Sequence, residues 1–455
     1  MGAPSVNLKL IIEKLGRQVA KVASSHSALF IVPSLATTLA TCILFALLRG
    51  LSADELNAFA VIIMSSVILS LVGTAGIQFV IYKKVGESGF SREHAKEEKG
   101  FGALIMMGII ASISFSIVSS GIAYPYFKYV LNFSTLQFLY FATLLILYSV
   151  TWVLTSTFWA SGKYKYPARI FAISYSVVFL LSYLLYHLSP VSTLCGFIVG
   201  IAILVALLTV ASRNVFEFSI KPSKPLEALH MMLRLISKEY WGVLFQTFFI
   251  LAVFLDKIIV WISEGARTGN GLQILGPYTT GAFLGLIPTL SVAALAYFAE
   301  NMKPLSKDLY VGTLHDIRVR IEEYKRLYWK GLLAMLTVGF ILLVLVVGST
   351  ALFMNDEQIL MVMLTTATGV LFFEVILFNS LVLPIFGKNH ISAISVMVVC
   401  FGVVLAALFI SNDVWYASVG FLVGSFIGFL ISQYSTTRLL SEFDYNAFHA
   451  LQTTW

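Results

Sequence analysis

The chain alternates long apolar runs with short polar connections, and the runs are long enough to cross a lipid bilayer. A transmembrane helix needs about 20 apolar residues, because each residue rises about 1.5 Å and the hydrocarbon layer is about 30 Å thick. Runs of this length predict twelve transmembrane helices and an all-α polytopic membrane protein. The predicted spans lie at about residues 27–49, 57–82, 101–123, 135–160, 168–187 and 191–211, followed by 240–263, 276–299, 329–354, 358–386, 391–411 and 414–434.

The pattern repeats once along the chain. Residues 8–22 place apolar side chains on one helical face and basic ones on the other, which is typical of a helix on the inner leaflet, and a similar segment at 227–240 precedes the seventh span. The sixth span contains GFIVG and the twelfth GFLVGSFIG, whose small residues favour close helix packing, and packing alone would explain them. The repeat predicts two six-helix bundles in parallel orientation, 1–212 and 213–455.

Composition supports a membrane protein and excludes an ordinary soluble domain. The 455 residues are 58% hydrophobic and 12% charged, with a mean hydropathy of +0.89, whereas soluble domains carry about 25% charged residues. No cleavable signal peptide is expected, because several charges precede a first apolar run of full spanning length. Cys42, Cys195 and Cys400 fall inside apolar runs and predict neither a disulfide nor a metal site.

The basic residues are distributed unevenly between alternate connections. Only Arg49, Lys128 and Arg267 lie on one side and Lys257 lies within a span, which leaves 26 of the 30 Lys and Arg residues on the other side. Under the positive-inside rule, both termini are predicted to be cytoplasmic. This arrangement explains the net charge of +7 without a nucleic-acid partner.

The sequence contains no constellation for covalent catalysis and no Walker-type phosphate-binding motif. The longest connection, near residues 300–328, is too short for a catalytic domain, and the histidines form no short-spacing pair. We therefore expect a transporter body that is not an enzyme and needs no cofactor.

The seventh span carries two adjacent charges, Asp256 and Lys257. Consecutive residues point about 100° apart on a helix, so each side chain is expected to need a partner from elsewhere. One interpretation places both groups in a wet vestibule, where Asp256 takes a proton or cation and Lys257 contacts substrate. In the alternative, Lys257 reaches the nearby external interface through its flexible stem.

Other candidates for a substrate or ion pathway lie elsewhere in the chain. Glu374 is midway along the tenth span and is the deepest proton-carrier candidate, although a structural bond to a hydroxyl would also explain it. Glu300 ends the eighth span and could simply be solvated. An aromatic stripe in the fourth span could stack on sugar rings, but helix packing or lipid contact would explain it too. The aromatic members are Phe141, Tyr148, Trp152 and Trp159, and Thr155 lies on the same helical face.

Several segments resemble the PelG family, the inner-membrane transporter of Pel exopolysaccharide. They are GFIVG, LISKEYWGVLFQTFFILAVFLDKIIVWIS, GPYTTGAFLGLIPTLSVAALAYF and EFDYNAFHALQ, with a looser match in SLVGTAGIQFVIYKKV. The most specific pieces are the Asp256–Lys257 pair and the D-Y-x-x-F near the end. The resemblance implies the fold of the multidrug, oligosaccharidyl-lipid and polysaccharide exporter superfamily, with two six-helix bundles forming a V around a central cavity. It carries over Asp256 and Lys257 as family features, and Glu300 more weakly.

These observations together predict export or flipping of a polysaccharide across the cytoplasmic membrane. The resemblance also implies other membrane subunits and a cytosolic glycosyltransferase that supplies the glycan, in a system that forms biofilm polysaccharide. Two alternatives stay open from the sequence. One is an ion-coupled antiporter of small molecules, and the other is a membrane scaffold that anchors a glycosyltransferase without transporting anything.

Overall fold

The computed structural model describes residues 52–88, 94–187, 190–216, 225–269, 271–291, 298, 314–353, 356–410 and 413–442, and these contain helices but no β-strand. Twelve α-helices are present in this part of the chain. They are α1 Ala53–Ser88, α2 His94–Pro125, α3 Thr135–Ala160, α4 Lys165–Tyr186, α5 Pro190–Phe216, α6 Pro225–Lys238, α7 Tyr240–Thr268, α8 Pro277–Leu284, α9 Leu314–Phe353, α10 Glu357–Asn379, α11 Asn389–Ala407 and α12 Tyr416–Ser441.

Ten of these helices, all except α6 and α8, are long and apolar enough to cross a membrane. They coincide with ten of the twelve predicted spans and confirm an all-helical polytopic membrane protein. The predicted span at 27–49 and the amphipathic segment at 8–22 lie outside the described residues. The amphipathic segment at 227–240 forms α6, which buries Met232 against α1 and α2 and leaves Met231 and Leu233 exposed.

The predicted span at 276–299 is wrong as a single continuous helix. Helix α8 ends at Leu284, and a separate 3₁₀ turn follows at Ile287–Ser291. Pro288 explains the break, because it has no N–H to donate and its ring clashes with the carbonyl four residues earlier. That carbonyl belongs to Leu284, the last residue of α8.

The predicted spans at 329–354 and 358–386 have different ends in the structure. Helix α10 stops at Asn379 and a 3₁₀ turn covers Leu383–Phe386, because Pro384 breaks the backbone pattern as Pro288 does. Helix α9 begins at residue 314, well before the apolar run. Its early turns are held by an inward stripe of apolar and aromatic residues, namely Ile321, Tyr324 and Tyr328.

The helices pack in two sets that we call the first helix group, α1–α5, and the second helix group, α7–α12. Within the first group, α1 lies at the centre. No residue from 56 to 81 is exposed, and α1 contacts α2, α3 and, across the groups, α7. The predicted division of the whole chain at residues 212 and 213 stays a prediction.

The two glycine motifs are sites of close helix packing. Gly200 of GFIVG lies against α4, where an added Cβ would be 2.8 Å from the Val178 Cα. Gly424 of GFLVGSFIG lies against α11, where a Cβ would be 2.8 Å from the Val399 carbonyl oxygen. The packing explanation of these motifs is therefore confirmed.

Helices α1 and α7 run antiparallel and form the seam between the two groups. Near the start of α1, Asn57 contacts the segment that follows α7, and we call this the Asn57 end. Near the other end of α1, Lys83 forms an ion pair with Glu239, which precedes α7, and we call this the Lys83 end. The seam therefore has polar contacts at both ends and apolar contacts between them.

Candidate functional site

Asp256 and Lys257 form a buried ion pair with each other on α7. The Lys257 Nζ lies 2.9 Å from Asp256 Oδ1 and 3.1 Å from Oδ2. The two side chains are 0% and 1% exposed. The expectation that adjacent residues cannot neutralise each other is wrong, because the long lysine stem curls around the helix and brings its ammonium back to the neighbouring carboxylate. The alternative in which Lys257 reaches the external interface is wrong as well.

Two further contacts complete this cluster. The Lys257 Nζ donates to the Val253 carbonyl oxygen one turn earlier, at 2.9 Å, which is the direction in which helical side chains point. The Tyr278 hydroxyl of α8 donates to Asp256 Oδ2, also at 2.9 Å. Asp256 therefore does receive a partner from elsewhere in the chain, and α8 supplies it. The net charge of the cluster is zero, which lowers the free-energy cost of burying it.

Another hydrogen bond fixes α8 to α7, at a position closer to the C-terminal end of α7 than this cluster. The Trp261 Nε1 donates to Thr279 Oγ1 at 2.8 Å, and both side chains are buried. Trp261 and Asp256 thus hold adjacent residues of α8, Thr279 and Tyr278. These two hydrogen bonds position the start of α8. The sequence of the seventh span alone does not predict them.

Glu374 is a separate buried acid in the second helix group. It lies on α10 at 1% exposure, and neither carboxyl oxygen has a hydrogen-bond partner among the described residues. The Ser291 hydroxyl at the end of the 3₁₀ turn faces this carboxyl at a geometry short of a hydrogen bond. Gly339 on α9 makes room, since a Cβ there would lie 3.0 Å from Glu374 Oε2. No described contact joins Glu374 to the Asp256 cluster.

The aromatic stripe of α3 lies inside the first helix group. Trp152 donates its Nε1 hydrogen to Ser70 Oγ on α1 at 3.0 Å. Tyr148 stacks on Trp152 with ring centroids 6.2 Å apart, and its hydroxyl lies against that of Tyr175 on α4. Phe141 is fully buried as well. In this conformation the stripe packs helices together, while Glu300 lies outside the described residues.

Sequence reasoning missed several buried side-chain amides. Asn379 of α10 accepts from the Tyr328 hydroxyl at 2.6 Å and donates to Ser432 and Gln433 of α12, at 3.1 Å each. Asn57 is a second example, with both side-chain polar atoms bonded to backbone. An amide inside an apolar run was the available signal, because buried polar groups need partners.

A family model matches residues 8–448 of the chain, and its description is PelG, "Putative exopolysaccharide Exporter (EPS-E)". The chain belongs to the PelG family. The match covers both helix groups and includes the Asp256–Lys257 pair and Glu374. The expected membership of an exopolysaccharide exporter family is confirmed, and no curated protein sequence matches the chain.

Solved structures show that this PelG-family member has the fold of the MATE and MOP transporters. The eukaryotic MATE transporter AtDTX14 superposes with a TM-score of 0.67 at 12% identity, covering 97% of this chain and 100% of that one. A MOP superfamily transporter from Pyrococcus furiosus gives 0.64 at 14% identity, with 93% and 96% coverage. The Vibrio cholerae MATE transporter VcmN in its bent form gives 0.59 at 14% identity, with 95% and 99% coverage.

The family and the fold together identify a multi-pass membrane transporter of the exopolysaccharide exporter class. The buried charges of the described residues all lie in the second helix group, on α7 and α10. Among the described residues of the first group, the buried polar side chains are hydroxyls and amides. The two helix groups of this PelG-family member therefore differ, because buried charges occur in the second group and buried neutral polar side chains in the first.

Proposed function

We propose that this PelG-family member exports a Pel-like polysaccharide along a path between the two helix groups, coupled to an ion that binds in the second group. The observation that carries the coupling is the Glu374 carboxyl, which is buried and has no hydrogen-bond partner among the described residues. An ionisable residue inside a membrane is costly to place and by default marks an ion or substrate pathway. Glu374 is therefore the proposed carrier of a proton or cation.

The proposed architecture has two bundles, residues 1–212 and 213–455, around a central cavity. The packing of α1–α5 and of α7–α12 into separate groups supports this division. The exporter works by alternating access, or as a conduit for a growing chain, and in both cases the α1–α7 seam adjusts during transport. The chain itself performs no catalysis in this proposal.

The proposed location is the cytoplasmic membrane, with both termini in the cytoplasm. The support is the distribution of basic residues, because 26 of the 30 lie on one set of connections. This orientation makes the Asn57 end of the seam external and the Lys83 end cytoplasmic. A cytosolic glycosyltransferase and other membrane subunits are the proposed partners, and they would supply the glycan at the cytoplasmic end.

The Asp256 cluster has a related proposed role. Lys257 is the internal counter-ion of Asp256, so a proton or cation that binds the carboxylate would break the ion pair and leave the ammonium bonded to the Val253 carbonyl oxygen. The two other N–H donors of the ammonium could then contact glycan hydroxyls or acidic groups. Glu300 remains a proposed pathway residue at the cytoplasmic end of the eighth span.

Tyr148 and Trp152 are weaker candidates for contact with the glycan. Either ring could reach a sugar only after α1 and α3 separate, because Trp152 is bonded to Ser70 across that contact. The described contacts favour the packing role that the sequence already allowed. Contact of these rings with the glycan is the alternative proposal, and variants of Trp152 test it.

The test of coupling compares two acids on one helix. In cells that secrete the polysaccharide, Glu374→Gln is expected to reduce secretion at least tenfold while membrane levels stay unchanged. Glu357→Gln is the matched control, because Glu357 is exposed in the first turn of α10. Asp256→Asn should also reduce secretion. Undiminished secretion in both Glu374→Gln and Asp256→Asn would contradict the coupling role.

The fold similarity favours one second candidate, an ion-coupled antiporter of small molecules. Purified protein in liposomes distinguishes the two. A drug-dependent proton or sodium flux without glycan would favour the antiporter, whereas flux that requires the glycan would favour export. If neither flux occurs, the chain is a scaffold for the glycosyltransferase.

A further inference from the structure

The segment at residues 271–276 turns back into the protein after α7. The Gly271 N–H donates to the Gly265 carbonyl oxygen at 3.2 Å, and the Gln273 N–H donates to that of Trp261 at 3.0 Å. Trp261 lies seven residues before the end of α7, so the segment returns by about 10 Å along the helix. Leu272 and Ile274 are consequently buried.

Glycines permit this reversal. Gly269 and Gly271 have φ angles of 77° and 71°, in the left-handed region that other residues rarely adopt. Gly265 has no side chain at the point where the returning backbone of Gly271 and Leu272 crosses α7. These glycines therefore determine the path of the segment, which is packed into the protein and differs from an ordinary surface loop.

Asn57 of the first helix group binds the segment at two points. Its Nδ2 donates to the Leu272 carbonyl oxygen and its Oδ1 accepts from the Ile274 N–H, each at 2.9 Å and buried. The hydroxyl of Tyr126, the first residue after α2, donates to the Gly271 carbonyl oxygen at 3.2 Å. These bonds join the first group to a segment that belongs to the second half of the chain.

The other side of the segment is fixed to the second group. Helix α8 follows directly, and its Tyr278 and Thr279 are bonded to Asp256 and Trp261 of α7. If the groups separate at the Asn57 end, the contacts to α7 and α8 keep the segment with the second group, so the bonds to Asn57 and Tyr126 break. Leu272 and Ile274 then leave the apolar cluster that they share with the first group. Water would then replace the broken hydrogen bonds, which keeps the net free-energy cost of breaking each one small.

We propose that residues 271–276 form the external gate of the exporter and that Asn57 is the residue that holds the gate closed. The gate closes the external end of the path between the helix groups, and both Asn57 bonds break together when it opens. That a polysaccharide passes the gate rests on the proposed function. That the gate lies at the external end rests on the proposed orientation. The opening itself can be measured without export.

The first experiment measures the exposure of the gate. Ile274→Cys is introduced after Cys42, Cys195 and Cys400 are replaced by serine, and intact cells receive a membrane-impermeant maleimide. Slow labelling is expected in this parent, and Asn57→Ala should accelerate labelling at least tenfold.

Asn379→Ala is the matched control, because it removes a buried amide whose bonds lie within the second group. Its labelling rate should stay within twofold of the parent. Equal rates in the parent and Asn57→Ala would overturn the proposal, as would equal acceleration by Asn379→Ala.

A second experiment holds the gate shut and covers the case in which Asn57→Ala fails to fold. Asn57→Cys and Gln273→Cys are joined by a cleavable bifunctional reagent. Secretion should fall at least tenfold after cross-linking and recover after cleavage, whereas full secretion by the cross-linked protein would overturn the gate. Asn57→Asp replaces Asn57→Ala in the labelling experiment if the alanine variant does not fold. If Asn57→Asp accelerates maleimide labelling of the Ile274→Cys parent but no variant secretes polysaccharide, the gate is supported and the proposed export function is contradicted.

Discussion

Gly242 of α7 lies directly against the aromatic ring of Phe79 on α1, so closely that an added Cβ would overlap the ring. The contact lies on the seam between the two helix groups, one turn from the Lys83–Glu239 ion pair. Gly76 makes the reciprocal approach, since a Cβ there would be 2.9 Å from the Val243 Cγ1. The seam is therefore closely packed near its Lys83 end, with a glycine on each helix.

Gly242→Ala should destabilise the protein by about 1–3 kcal/mol, because the methyl group forces Phe79 out of its position. Gly348→Ala is the control, since nothing lies within 4 Å of that position in α9. The control should be neutral or more stable by up to about 1 kcal/mol, owing to helix propensity. Denaturant unfolding in mixed micelles measures both, and Phe79→Leu should restore part of the stability lost in Gly242→Ala.

Lys257→Met should destabilise the second helix group by about 3–5 kcal/mol, because it leaves the Asp256 carboxylate buried without a counter-ion. Replacing both charges, as in Asp256→Asn with Lys257→Met, should recover stability to within about 1 kcal/mol of the parent. The same unfolding measurement applies. A Lys257→Met variant as stable as the parent would contradict a buried, charged Asp256 that depends on Lys257.

Trp152→Phe and Ser70→Ala should be coupled by about 1 kcal/mol in a double-mutant cycle, since each removes the same buried hydrogen bond. A packing role predicts that secretion follows protein stability and expression in all three variants. Secretion that falls in Trp152→Phe at unchanged stability would instead favour direct contact of the ring with the glycan. The measurement pairs unfolding with secreted polysaccharide per unit of membrane protein.

Glu239→Lys should destabilise the Lys83 end of the seam by about 1 kcal/mol, because it replaces an ion pair by like charges at a partly exposed position. The exchange Lys83→Glu with Glu239→Lys should recover at least half of the loss. High salt should reduce the difference between the variants, since exposed charges are screened. A loss that is unchanged by the exchange would point to steric effects.

The hydrophobic pattern was sufficient to predict the ten described spans. The bilayer requires an apolar helix of a certain length, whichever helices pack beside it. The same pattern missed the breaks at Pro288 and Pro384. Apolarity continues through both prolines, and only the proline ring and its missing N–H interrupt the helix. Composition alone could not distinguish a broken span from a continuous one.

The sequence also identified Asp256, Lys257 and Glu374 as costly charges inside spans, since a charged residue type within an apolar run can be recognised without knowing its neighbours. Their partners were decided by the tertiary structure. Lys257 neutralises Asp256 because its stem curls around the helix, and Tyr278 reaches Asp256 because α8 packs beside α7. Likewise, Asn57 meets the backbone of residues 272 and 274 more than 200 positions away, and only three-dimensional packing brings groups so distant in sequence together.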